Sequence, residues 1–175
     1  MKATTLLRRQ HREAERLFDE VMYGEAGRNE AVHALALELA AHAALEEQFL
    51  YPLLRESLPG AFFMSIEEHA MMKVALERLV QAPPGDEAFE AKVALLKRVV
   101  LEHVEEEEND IFPELEEGMS RDDLEALGQQ LEEANARLRQ GGFEPLLAEN
   151  RRSAVAAARG DDLPAGASPA ADAAG

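Results

Sequence analysis

The chain has 175 residues, 46% of them hydrophobic, so it is long enough for one domain with a sizeable core. Its formal net charge of −17 argues against nucleic acid and against anionic membrane as partners, because both need a basic face. It has no cysteine, which excludes disulfides, zinc ribbons, iron–sulfur clusters and thiol chemistry.

The first predicted helix runs from about Thr4 to Tyr23, with Leu6, Leu7, Ala14, Leu17, Phe18 and Val21 on its apolar face and Gly24 and Gly27 at its end. The second runs from about Asn29 to Ser57 and stops at Pro59-Gly60. The third is shorter, from about Ser65 to Val80, because Ser65-Ile66-Glu67-Glu68 fits an S-x-x-E capping box. The preceding Ala61–Met64 reads as a helical turn or an apolar lid. The fourth runs from about Glu87 to Glu116. Pro52 and Pro113 fall near the ends of the second and fourth helices and are expected to bend them.

Ser120 is a further cap, and a fifth amphipathic helix follows to about Arg139 on Leu124, Leu127, Leu131 and Leu138. Residues 141–175 are more than half Ala, Gly and Pro and read as a mostly disordered tail, with a short helix near 145–158. There is no strand pattern. The expected fold is all-α: an up-down-up-down four-helix bundle over residues 1–118, an accessory helix over 119–140 and the tail over 141–175.

One motif occurs twice. Residues 42–52 read HAALEEQFLYP and residues 103–113 read HVEEEENDIFP, both fitting H-x3-E-E-x3-[FY]-P. A His and a Glu four apart lie about 40° apart around an α-helix and project from one face as a ready pair of metal ligands. Two such pairs point to a dinuclear site inside a bundle. Neutral imidazoles with carboxylates suit iron, manganese or zinc. Burying Glu46 and Glu107 without partners would be costly, and coordination would supply the compensation. The next residues, Glu47 and Glu108, lie about 140° from the His and are read as bonding to ligands or to solvent.

Four of the five histidines fall one per helix: His11, His42, His69 and His103. His33 precedes His42 by nine residues, which puts it on the opposite face as a surface or capping residue. Met64, Met71, Met72, Phe18, Phe49 and Phe112 are read as core, and packing is the expected role of Tyr23 and Tyr51.

The combination H…HxxxE…H…HxxxE, with aromatic-Pro after each HxxxE, closely resembles the hemerythrin-like (HHE cation-binding) family. The opening TTLLRRQHREAERLF resembles that family's first helix, and the likeness covers about residues 4–117. It implies a non-heme di-iron centre with an oxo or hydroxo bridge. Carried over residue by residue, His11, His42, His69 and His103 are terminal ligands, and Glu46 and Glu107 are the bridges. Zinc and manganese stand as alternative metals.

Two departures matter. Oxygen-carrying members have another His four residues after the third-helix His, and here that position is Lys73. Their last carboxylate is an Asp at +5, where this chain has Glu108. The chain thus resembles a six-ligand bacterial subgroup, and reversible oxygen transport is not expected. Glu15 and Glu68 are candidates for an additional ligand. The resemblance implies binding of oxygen, nitric oxide or peroxide in sensing, scavenging or stress protection. Catalase-like peroxide dismutation and non-catalytic metal storage are the alternatives. No apolar signal core opens the chain and no stretch suits a bilayer, so a cytoplasmic protein is expected, and its acidity favours a monomer.

Overall fold

The computed structural model describes residues 1–24, 27–142 and 145–152, and among these there are helices and no strands. Helix α1 is Ala3–Tyr23 and α2 is Arg28–Leu45. A π-helical turn, Glu46–Leu50, joins α2 to α3, Tyr51–Ser57. Then come α4, Pro59–Val80, and α5, Phe89–Glu106. A second π-turn, Glu107–Ile111, leads to α6, Phe112–Gly118, and α7 is Arg121–Gly141. Residues 145–152 are also helical. The rest of the short helix expected to 158, and the tail beyond it, lie outside the described residues.

The four long helices form a ring in which α1 packs on α2, α2 on α4, α4 on α5 and α5 back on α1. Short connections between neighbours give the up-down-up-down order expected from the helical periodicity. Helix α7 lies across α1 and α2. Its start is capped as the sequence suggests, with the Asp123 N–H donating to Ser120 Oγ. The interior divides into two apolar clusters. One is built around Phe18, Leu35, Leu79, Val93 and Leu96 and also receives Leu146 and Leu147. The other is built around Leu6, Leu45, Tyr51, Leu54, Phe112 and Leu131.

Two expectations need correction. Helix α4 starts at Pro59, not near Ser65, because proline is well suited to a first helical position and the apolar run 61–64 continues the helix. Ser65 is therefore a buried interior residue and caps nothing. Met64 and Met71 are exposed, since they fall on the outer face of the lengthened helix. Each of the two prolines directly follows a π-helical turn. Pro52 and Pro113 have no N–H to give the preceding turn, and their rings crowd its carbonyls. The helix widens there, with Tyr51 N–H donating to Glu46 O and Phe112 N–H to Glu107 O, five residues back.

The widened turns matter for the site. Nine α-helical steps would place Tyr51 opposite His42, and Phe112 opposite His103. One extra residue in a turn rotates the rest of the helix by roughly 100°, which swings both aromatic rings toward the core. Tyr51 and Phe112 are accordingly almost wholly buried.

Candidate metal centre

The six donors of the two HxxxE pairs and the two lone histidines converge in the middle of the bundle, and all six are buried. Helix α1 contributes His11, α2 and its π-turn His42 and Glu46, α4 His69, and α5 and its π-turn His103 and Glu107. They form two groups that could each hold a cation. His11, His42, Glu46 and Glu107 make one, and Glu46, His69 and His103 the other; within each, the ligand atoms lie within 4.8 Å of one another.

Both carboxylates reach across the two groups. Glu46 Oε1 is 3.1 Å from His42 Nε2, and its Oε2 is 3.3 Å from His69 Nε2. Glu107 Oε2 is 3.2 Å from His11 Nε2, and its Oε1 is 3.5 Å from His103 Nε2. The imidazoles meet in pairs, Nε2 to Nε2 at 3.2 Å, for His11 with His42 and for His69 with His103. Two lone pairs facing each other at that distance are favourable only with a proton or a cation between them.

The outer nitrogens are all held. His11 Nδ1–H donates to Glu108 at 2.7 Å, His69 Nδ1–H to Glu47 at 2.9 Å, and His103 Nδ1–H to Glu68 at 2.7 Å. His42 Nδ1–H donates to the Gln10 amide oxygen at 3.1 Å. Such bonds fix the tautomer that leaves Nε2 free to ligate and make the ring more basic. Cations back two of the carboxylates: Lys73 lies 2.5 Å from Glu47, and Arg12 2.5 Å from Glu108. Thus Glu68 orients His103. Glu15 pairs with Arg12 at the surface, 2.6 Å away. Exposed Tyr23 and His33 stay outside the site.

Two residues whose expected role is packing are part of the site. Tyr51 Oη–H donates to His69 Nε2 at 2.6 Å, and the Phe112 ring stacks on His11 with centroids 5.7 Å apart. Gln10 belongs to neither copy of the repeat, and sequence reasoning passes over it. Its signal is the shared placement of Gln10-His11 and Glu68-His69, a side chain of equal length just before each lone His.

The electrostatics expose a demand for cations. None of the four carboxylate oxygens of Glu46 and Glu107 receives a well-aligned hydrogen bond. Burial, with the charge of Glu46 added, pushes Glu107 up to about 8. Burial would also raise Glu46, but His42, His103 and His69 outweigh it and hold that carboxyl well below its ordinary range. Burial opposes the charge on His103, yet Glu107, Glu46 and Glu68 raise it well above the usual imidazole value. Burial lowers His11, against the pull of Glu46 and Glu108. Without metal, protons must do what cations would do. Four inward imidazole nitrogens and two spanning carboxylates suit a pair of divalent ions.

Fold and site together define a helical-bundle protein with a buried histidine–carboxylate cation centre. The hemerythrin HHE cation binding domain matches residues 2–115, and the chain belongs to that family. A crystal structure of a hemerythrin HHE cation binding domain-containing protein from Mycobacterium kansasii superposes with a TM-score of 0.72 at 23% identity, covering 89% of this chain and 98% of that one. That likeness supports the fold. A protein of Nostoc sp. named as a DNA nickase is 25% identical over 143 residues, which are 80% of this chain and 41% of that relative. The chain thus spans less than half the length of that relative. Among the described residues, no helix is long and apolar enough to cross a membrane.

Proposed function

We propose that the chain is a non-heme di-iron protein that binds a small oxygen- or nitrogen-oxide ligand (oxygen, nitric oxide or peroxide) in sensing, scavenging or stress protection. His11 and His42 would hold one metal and His69 and His103 the other, with Glu46 and Glu107 shared between them. The observation that carries the reading is the meeting of this donor set with a small cavity. All four histidines line a space with room of about 30 Å³ for the centre of a water-sized molecule, whose wall also includes Leu76, Leu96 and Val100. That is enough for a molecule of two or three heavy atoms and too little for an organic substrate.

Iron, when bound, supplies one-electron redox chemistry and coordination positions that a small molecule can take. The protein's part is to hold the donors and keep bulk water out. The i, i+4 spacing aims Glu46 and Glu107 inward beside His42 and His103, the outer carboxylates and Gln10 lock the imidazoles, and the aliphatic wall lowers the local dielectric. Lys73 supports the reading against oxygen carriage, because its ammonium is bound to Glu47 where carriers have another imidazole. A non-catalytic zinc or manganese centre is the competing reading.

The decisive experiment is metal analysis of protein from iron-replete growth, with its near-ultraviolet spectrum. Two irons per chain with charge-transfer absorption, lost in His42→Ala and Glu107→Ala, are expected. Less than one iron per chain, or two zinc ions without that absorption, would overturn the assignment.

A further inference from the structure

Helix α4 buries Ser65, His69, Lys73 and Leu76 on its inner side. The opposite side of such a helix is normally polar. Here it is not. Among the described residues eight large hydrophobic side chains are exposed, and four of them stand on α4: Phe63, Met64, Met71 and Val74, at 63%, 53%, 62% and 46%. At about 100° per residue, these four together with Glu67 and Arg78 fall within an arc of about 100°, roughly opposite the buried side. Single exposed hydrophobics need no explanation, but a continuous stripe marks an interaction surface.

The spacing of the stripe defines what fits it. Met64, Glu67, Met71, Val74 and Arg78 follow one another at steps of three, four, three and four, the repeat by which one helix packs along another. The charges define which helix. Glu67 and Arg78 stand equally far from the midpoint between Met71 and Val74, one on each side. When a second α4 is turned end for end about that midpoint, Glu67 meets the partner's Arg78 and Met71 meets the partner's Val74. A two-fold axis makes each of these contacts twice, so the stripe is complementary to itself. Among the described residues neither Glu67 nor Arg78 has an ion-pair partner within the chain.

We propose that the outer face of α4 is the interface of a homodimer, in which two copies of α4 pack antiparallel with Met71 and Val74 at the centre and Glu67–Arg78 pairs on either side. The sequence-based expectation of a monomer rests on the total charge of −17, and that charge is not carried here, since the one acid and one base of the stripe cancel. From Met64 to Arg78 the stripe is about 21 Å long. One helix pair of that length suits the lower end of the usual range of about 1,200–2,000 Å² of buried surface, and so a reversible dimer. Because α4 carries His69 on its inner side, the pairing sets two metal centres back to back across two adjoining helices. The inference goes beyond the metal reading and holds whichever ion the bundle takes.

Sedimentation velocity of the full-length protein, from about 1 to about 500 μM, should show wild type passing from monomer to dimer. Glu67→Arg and Arg78→Glu each bring like charges together at two symmetric places, and each should weaken the dimer about tenfold to a hundredfold. Both positions are exposed and outside the metal centre, so helicity and metal content should match wild type. Mixing the two single variants is the sharper test. Each opposite-charge contact is restored between unlike copies, so the mixture should dimerise as tightly as wild type, and the double variant Glu67→Arg/Arg78→Glu should do so alone. Met71→Lys, at the centre, should leave only monomer. A wild type that stays monomeric throughout would overturn the proposal. So would a dimer that survives Met71→Lys, or a mixture that pairs no better than its separate components.

Discussion

The Tyr51 hydroxyl donates to His69 Nε2, the same nitrogen that faces Glu46 Oε2. The bond exists because the π-turn rotates Tyr51 off the outer face of its helix. Its counterpart in the second repeat, Phe112, stacks on His11 and has no hydroxyl to offer. The two halves of the centre therefore differ in whether a hydrogen bond must be broken before Nε2 can ligate.

Replacing Tyr51 with Phe should remove that competition. Metal binding at the His69–His103 half is expected to tighten severalfold, up to about tenfold, in line with a net hydrogen bond of about 1 kcal/mol. Cobalt titration of the metal-free protein, followed by visible absorption, measures it. A large loss of binding in Tyr51→Phe would instead make the hydroxyl a ligand in its own right.

The outer carboxylates should matter less than the inner donors. Glu47→Gln leaves His69 Nδ1–H an acceptor but takes away the charge that Lys73 balances. A drop in metal affinity of about 10- to 100-fold is expected, with the stoichiometry of two metals per chain kept at saturation. His42→Ala should reduce that stoichiometry itself. Isothermal titration with zinc separates an affinity effect from a stoichiometry effect.

Stability of the metal-free protein should fall as pH rises above about 6.5. The Glu107 carboxyl goes from an ordinary value of 4.5 to about 8 in the fold, and His103 is raised well above 6.5. A group whose value is raised by folding stabilises below its unfolded value and loses that contribution as pH climbs through the folded one. Glu46, which is lowered, is already ionised throughout this window, and the lowered His11 acts below 6.5. Metal uptake must displace the protons, so it should release them and tighten as pH rises toward 8. Thermal melts at pH 6.5 and 8.5, in chelator and in zinc, check the sign. A metal-free melting temperature that rises with pH would contradict it.

Gly128 tests how α7 is held. A Cβ there would lie 2.0 Å from the Met1 carbonyl oxygen and 3.0 Å from Ala3 N, where the start of α1 crosses α7. Alanine would gain about 1 kcal/mol in helix propensity but must push this backbone aside, at about 1–3 kcal/mol. Gly128→Ala should therefore lower the melting temperature by a few degrees while the metal content stays at the wild-type level. An equal or higher melting temperature would show that the N-terminal residues yield freely.

The helices, the repeat and the six converging donors are all legible in the order of the residues. Helical periodicity and an i, i+4 pair are local properties, and one His on each of four amphipathic helices leaves few ways to bury them except together. The start of α4 is not legible in this way. Ser65-x-x-Glu68 satisfies a local capping pattern, while Glu68 in fact serves His103 across a helix interface. Cross-helix partnerships of that kind, among them Glu47 with His69, Glu108 with His11 and Gln10 with His42, are set by how the helices pack. So is the inward turn of Tyr51, because a single extra residue in a helical turn changes every later direction and leaves no mark on a periodicity plot. The donors of the repeated H-x3-E-E motif can be read in one dimension. The side chains that orient them come from segments distant in sequence and meet only when the bundle closes.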